Sequence, residues 1–337
     1  MISTFPTLCP NLQDITLKCQ LMDPVIAASV SELVLTTNRN ALRAFCVDYP
    51  LTDEACEVIY KLPYLRKLAT VIDEPSSHTM TLPNLTSIQV TYNDDHDWLQ
   101  AFSGASLENL DSVTIQSESG SIDDFLEAFK GVALTTSMPA TLSEFFFHTS
   151  RPWRPSYRSL LPFTQLTCLS VKFSCNSGCS STIDDDTVTD LARAMPKLNS
   201  LHIGHAPCET PADVTTKGLS ALARHCPRLS DLCIHFRLAS LDPEQIPSPI
   251  PADESGAPRI DCALRCLWVG CMPLPEESTL MVTLTLLRIF PQLEDLVYGD
   301  DTWEAVADAI YKSKQLANWS SKNVCLLHFY VPLMIPP

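Results

Sequence analysis

The chain has 337 residues, of which 45% are apolar, so a sizeable core is available, and its Lys and Arg (23) fall well short of its Asp and Glu (39), leaving a net charge of −16. An acidic chain without a Lys/Arg cluster repels phosphate backbones, which argues against nucleic-acid binding. Met1 to Pro10 lacks a basic start followed by an apolar stretch, and nowhere is there a run of about 18 apolar residues, so neither a secretory signal nor a membrane span is expected.

In chain order, the first recognisable phrase is Pro10-Asn11-Leu12-Gln13-Asp14-Ile15-Thr16-Leu17. A helix is predicted from Asp23 to Thr37, opened by Asp23-Pro24, since Asp caps well and Pro is tolerated at the first helical position. Leu42 to Val47 repeats the phrase, and Thr52-Asp53-Glu54 then opens a helix that Leu62-Pro63 stops. Further copies start at Leu65, Leu85, Leu110, Leu142, Leu166, Leu198, Leu229, Leu264 and Leu293. A helix is predicted over Phe125 to Gly131, and a Pro-rich stretch at 242–258, read as an inserted loop, interrupts the series. The solenoid is taken to cover 1–320, and 321–337 is an apolar tail read as a cap or as a segment unlike the rest.

The recurring phrase is L-x-x-L-x-I, with the last two apolar residues alternating as on a strand with one buried face. Its first Leu returns on average about every 28 residues, within the ~20–29-residue period of leucine-rich repeats. Between phrases the spacing is helical, as in Val188, Leu191, Ala192 and Met195, or Leu219, Leu222 and Ala223. One strand and one helix bury nothing alone; stacking closes the core. The expected fold is therefore α/β, a leucine-rich repeat solenoid or horseshoe of about 11 irregular repeats, with a parallel sheet on the concave face and helices on the convex face. The acidic runs Asp123-Asp124, Asp184-Asp185-Asp186 and Glu276-Glu277 precede helical stretches and are read as helix-end charges rather than metal ligands.

Residues between the buried positions should face outward in rows. Stacking the middle x gives Thr16, Ala44, Gln89, Thr114, Phe146, Ser170, His202, Cys233, Trp268 and Val297. The residue after the last apolar position gives Lys18, Asp48, Thr91, Gln116, His148, Lys172, Gly204, His235, Gly270 and Gly299. Repeats six to ten thus offer Phe146, His148, Lys172, His202, His235 and Trp268 as candidate partner-binding residues, exposed aromatics beside polar groups being what binding surfaces use.

No catalytic motif is present: G-x-S-x-G, G-x-x-x-x-G-K and H-E-x-x-H are all missing, so no enzyme and no cofactor are expected. Cys175, Cys179, His202, His205, Cys208, His225, Cys226, Cys233 and His235 lie close in sequence, but no second pair completes a zinc pattern. The fourteen Cys are read as free thiols in a cytoplasmic or nuclear protein, and the triplets Asn84-Leu85-Thr86 and Asn318-Trp319-Ser320 as chance matches to a glycosylation signal.

The phrases from Ala194 to Gly204 and from His225 to Ile234, with Thr215 to Ala223 between them, resemble the leucine-rich repeats of fungal F-box-type proteins over about residues 8–315. In that family the repeats hold a substrate for ubiquitination and an N-terminal F-box binds a Skp-type adaptor. Here the first repeat begins by residue 8, so adaptor binding is expected only where an F-box lies upstream. The resemblance implies a non-catalytic protein-interaction scaffold, the substrate-recognition part of a ubiquitin-ligase receptor. The competing readings are a Cys/His metal-binding or enzymatic module, and a truncated gene product without independent function.

Overall fold

The structure, a computed structural model, describes residues 9, 11–18, 24–37, 40–72, 80–92, 107–117, 140–149, 157–173, 183–204, 213–236, 262–269, 274 and 278–322. The predicted helix over 125–131, the Pro-rich stretch 242–258 and residues 323–337 of the tail lie outside these residues, as do the acidic pairs at 123–124 and 276–277.

Eleven strands form one all-parallel sheet in sequence order: β1 (Asp14–Leu17), β2 (Ala44–Pro50), β3 (Lys67–Ile72), β4 (Ser87–Tyr92), β5 (Ser112–Ser117), β6 (Glu144–Thr149), β7 (Cys168–Phe173), β8 (Ser200–Ile203), β9 (Asp231–Ile234), β10 (Cys266–Trp268) and β11 (Asp295–Val297). Six α-helices are seen among the described residues: α1 (Pro24–Thr36), α2 (Asp53–Ile59), α3 (Asp185–Ala194), α4 (Thr216–His225), α5 (Thr279–Ile289) and α6 (Glu304–Lys322). Each copy of the leucine phrase supplies one strand, and strand order equal to chain order is the signature of a solenoid in which each coil meets only its neighbours.

Register explains why the phrase keeps its length. Ile88, Val113, Phe145, Leu169, Leu201 and Leu232 are aligned across six strands, and all are buried. The first Leu of each phrase sits just before its strand and, except for the partly buried Leu12, is also buried; Leu85, Leu110, Leu142, Leu166, Leu198 and Leu229 are at 0% exposure. These side chains share one continuous core with the inner faces of the helices, and among the described residues no helix covers the other face of the sheet.

Before each strand the backbone makes the same bond to the preceding coil. Arg43 N donates to Gln13 O, Arg66 N to Arg43 O, Thr86 N to Arg66 O, and the relay continues through Asp111, Ser143, Thr167, Asn199, Ser230 and Arg265 to Glu294. A buried or half-buried amide is costly without a partner, so this relay fixes the stacking register of every coil before the strands begin.

The helices follow from local signals. Thr52 caps α2, accepting from Ala55 N at 3.4 Å. Asp184 caps α3, accepting from Thr187 N at 2.8 Å, and that bond holds its carboxyl below the usual carboxylate range. Val188, Leu191 and Ala192 then face inward at helical spacing. Met195 N closes α3 on Leu191 O and Cys226 N closes α4 on Leu222 O, each at 2.9 Å, and Pro196 and Pro227 prevent continuation.

Asp185 acts across the repeat boundary. Its Oδ1 accepts from Thr215 N (2.7 Å) and Gly218 N (2.8 Å), and its Oδ2 accepts from the Thr215 hydroxyl (2.6 Å). It therefore caps α4, the helix of the next coil. A Cβ at position 218 would lie 2.7 Å from Asp185 Oδ1 and 3.0 Å from a Val214 methyl, which is why a glycine stands inside α4. The acidic run before α3 is thus a helix-end device, as its position in the sequence indicates, but one of its members serves a neighbour.

α6 continues across residue 320 to Lys322. No helix among the described residues is long and apolar enough to cross a membrane.

Two stability changes follow. Leu201→Ala, at a fully buried position, should cost about 2–5 kcal/mol. Asp185→Ala leaves three donors of the next coil without their acceptor and should cost about 1–3 kcal/mol. Urea unfolding followed by circular dichroism measures both, and an Asp185→Ala midpoint equal to wild type would contradict the cross-coil cap.

Candidate functional site

The face of the sheet turned away from the helices is organised in rows set by strand pairing. In register along one row stand Thr114, Phe146, Ser170, His202, Cys233 and Trp268 on β5 to β10. Beside it, Thr91, Gln116, His148 and Lys172 align on β4 to β7. The third row, at the strand starts, carries Glu144, Cys168, Ser200, Asp231, Cys266 and Asp295. All six candidate residues belong to this face: Phe146, His202 and Trp268 in the middle row, His148 and Lys172 in the outer row, and His235 directly after β9.

One position of the expected middle row is corrected. Ala44 pairs with Asp14 and Lys67 and so belongs to the row of strand starts, whereas Cys46 pairs with Thr16 and Ala69 and occupies the middle row. A slip of two residues along a strand keeps the face and changes only the row. Gly270 of the expected outer row lies outside the described residues.

A shallow groove of about 310 Å³ opens on this face, lined by Thr114, Gln116, Phe146, His148, Ser170 and Lys172 together with the edges of Ile115 and Phe147. The Phe146 ring shares this lining with the polar side chains of Thr114, Gln116, His148, Ser170 and Lys172. The Thr91 hydroxyl donates to Gln116 Oε1 at 3.3 Å, which steadies that side chain. Trp268 keeps 42% of its surface exposed.

Charge is distributed unevenly across the face. Carboxylates stand in the row of strand starts, at Glu144, Asp231 and Asp295, while His148 and Lys172 stand at the strand ends. His202 lies between them. Burial and the Lys172 ammonium hold its pKa below the usual histidine value, with Asp231 opposing, so the ring is neutral at pH 7. Its Nε2 is buried and has no hydrogen-bond partner among the described residues.

The thiols of this face are poor nucleophiles. Burial raises the pKa of Cys168, Cys233 and Cys266; at Cys266, Asp231 and Asp295 raise it further, against the hydrogen bond from Trp268. Behind the sheet, burial pushes Cys226 up to about 12 and Cys262 up to about 11. Their S–H groups lie near main-chain carbonyls of the preceding coil, Cys226 with Ala192 and Met195, Cys262 with Cys226 and Leu229. The eight cysteines among the described residues are unbridged.

The Cys/His residues close in sequence are separated by the sheet. Cys226 is in the core, His225 ends α4 on the helical side, and His202, Cys233 and His235 belong to the open face. Cys175, Cys179, His205 and Cys208 lie outside the described residues. Among the described residues no group of three or more potential metal ligands converges. The arrangement suits contact with a ligand laid along the sheet: apolar rings, single cations and unsatisfied polar atoms on a rigid floor.

Searches against models of known protein families and against curated proteins found no match.

The depressed pKa of His202 has a signed consequence. Between the usual histidine value of about 6.5 and its lower folded value, the unfolded chain binds the proton that the folded chain refuses, so stability falls as pH drops through that window. In an NMR titration the His202 ring should titrate below 6.5, and His202→Gln should flatten the fall in urea midpoint between pH 7 and 5. A His202 that titrates at or above the ordinary value would contradict the described burial.

Proposed function

We propose that this chain is a non-catalytic interaction scaffold that holds another protein on the open face of its sheet. The observation that supports this reading is the alignment, on one face of a parallel sheet, of Phe146, His148 and Lys172 around an open groove, with His202 and Trp268 further along the same row. Enzyme sites ordinarily enclose most of a small ligand, whereas partner proteins are held by a few aromatic and cationic side chains on an extended surface. The raised thiol pKa values and the split Cys/His set give the metal or enzymatic alternative no support from the described residues.

The repeat phrases belong to the leucine-rich type in this reading, and their resemblance to fungal F-box-type repeats makes the substrate-holding part of a ubiquitin-ligase receptor the role that fits best. A Skp-type adaptor would then be recruited only by an F-box upstream of the first repeat. The cytoplasm or nucleus is the matching compartment, since free thiols persist there.

The test is direct. The partner is identified by photo-crosslinking from a benzoylphenylalanine placed at position 202, purified, and its affinity measured against wild-type protein and the His202→Ala/Trp268→Ala double variant. Both side chains stand on the open face, so the double variant should keep its circular dichroism and melting curve while binding falls by about tenfold or more, as expected for two residues of a binding surface. Unchanged affinity in a folded double variant would sink the assignment of this face.

A further inference from the structure

The open face carries two aromatic anchors whose separation is fixed by the sheet. Phe146 on β6 and Trp268 on β10 stand in the same row, linked through Ser170, His202 and Cys233 on the three strands between. Neighbouring strands lie about 4.8 Å apart, so the backbones that carry the two rings are about 19 Å apart across the sheet. No single side chain bridges that distance. An extended segment rises about 3.3 Å per residue, so about six residues of it cover the span, and residues an even number apart present the same face.

Between the anchors the chemistry is selective. Lys172, beside Ser170 on β7, is exposed and has no ion-pair partner among the described residues. His202 follows on β8 with its buried Nε2 unsatisfied. The carboxylates of this face on β6 to β9, Glu144 and Asp231, stand at the opposite ends of the strands. A negative group entering near the strand ends between β7 and β8 therefore meets a cation that has no ion-pair partner among the described residues, in a chain whose net charge is −16. In an extended segment anchored on Phe146, the residue two places along falls about 6.6 Å away, between β7 and β8.

We propose that the open face binds an extended acidic peptide segment laid across the strands, with apolar side chains about six residues apart seated on Phe146 and Trp268 and a carboxylate two residues from the first, paired with Lys172. The proposal deepens the interaction reading and rests on it. The ligand is recognised by spacing and one charge, and its main chain can run in either direction over the same anchors.

The experiment is fluorescence polarisation of the full chain with fluorescein-labelled synthetic peptides in a Ser/Gly background. The designed probe carries Phe, Glu and Phe at places one, three and seven, and a second probe carries the reversed order. Controls shorten the anchor spacing to three residues, or replace Glu by Lys. The expected result is that one designed probe binds and both controls bind at least tenfold more weakly. Phe146→Ala and Trp268→Ala, folded by circular dichroism, should each weaken binding about tenfold. Lys172→Glu should reverse the preference, so that the Lys probe binds better than the Glu probe. Equal binding at the short spacing, an unchanged Glu preference in Lys172→Glu, or no binding by either designed probe overturns the proposal. Where the designed probes fail but a purified folded partner still crosslinks at position 202 with loss in the double variant, the extended-segment proposal falls and the scaffold reading stands. A partner that crosslinks only from the helical side removes both.

Discussion

The protein depends on the fact that none of its units can close a core alone. Each coil contributes a strand with one apolar face, a leucine ahead of it and, where described, a helix with an apolar stripe. Those surfaces are buried only by the coil before and the coil after. The main-chain relay from Gln13 to Glu294 is the polar counterpart of this burial. It lets the irregular lengths between phrases vary freely, because stacking is set at one short segment and whatever lies between is free of that constraint.

The same constraint determines where function can be placed. Positions facing the core are committed to packing, and the alternation of the strands leaves only the intervening positions free to vary. Eleven strands in register turn those positions into straight rows. A row with a hydroxyl at one coil and an indole at another costs the fold little, since neither side chain enters the core. Binding chemistry is thereby separated from stability, and the unequal distribution of carboxylates and cations between the two ends of strands β6 to β11 is a pattern that packing does not require.

The order of strands, the parallel pairing and the facing of the candidate residues were legible in the sequence because period two along each phrase is a local signal. Row membership was less so: Ala44 and Cys46 both satisfy the alternation, and only their partners, Lys67 and Ala69, distinguish them. The weakly patterned copy around Lys67–Ile72 hid Ala69 in the same way. The roles of Asp185 and Gly218 depend on an adjacent coil, and nothing within 30 residues of local pattern announces a bond between them at 2.8 Å. The glycine inside α4 was the available signal, since a helix interior tolerates one at a cost of about 1 kcal/mol and usually for a reason. Among the described residues, the Cys/His set that is close in sequence is split for a related cause. Proximity in sequence placed Cys226 beside His225 and Cys233, while the two faces of a strand and the turn of a helix send them to different surfaces.

The shared carboxylate of Asp185 also bears on how the superhelix comes apart. In a one-dimensional array, fraying can begin at either end and move inward one coil at a time. Where an acceptor in one coil satisfies three donors of the next, the two cannot part without exposing those donors together. The coils of α3 and α4 are therefore clasped at that boundary, and loosening there costs all three bonds at once rather than one at a time.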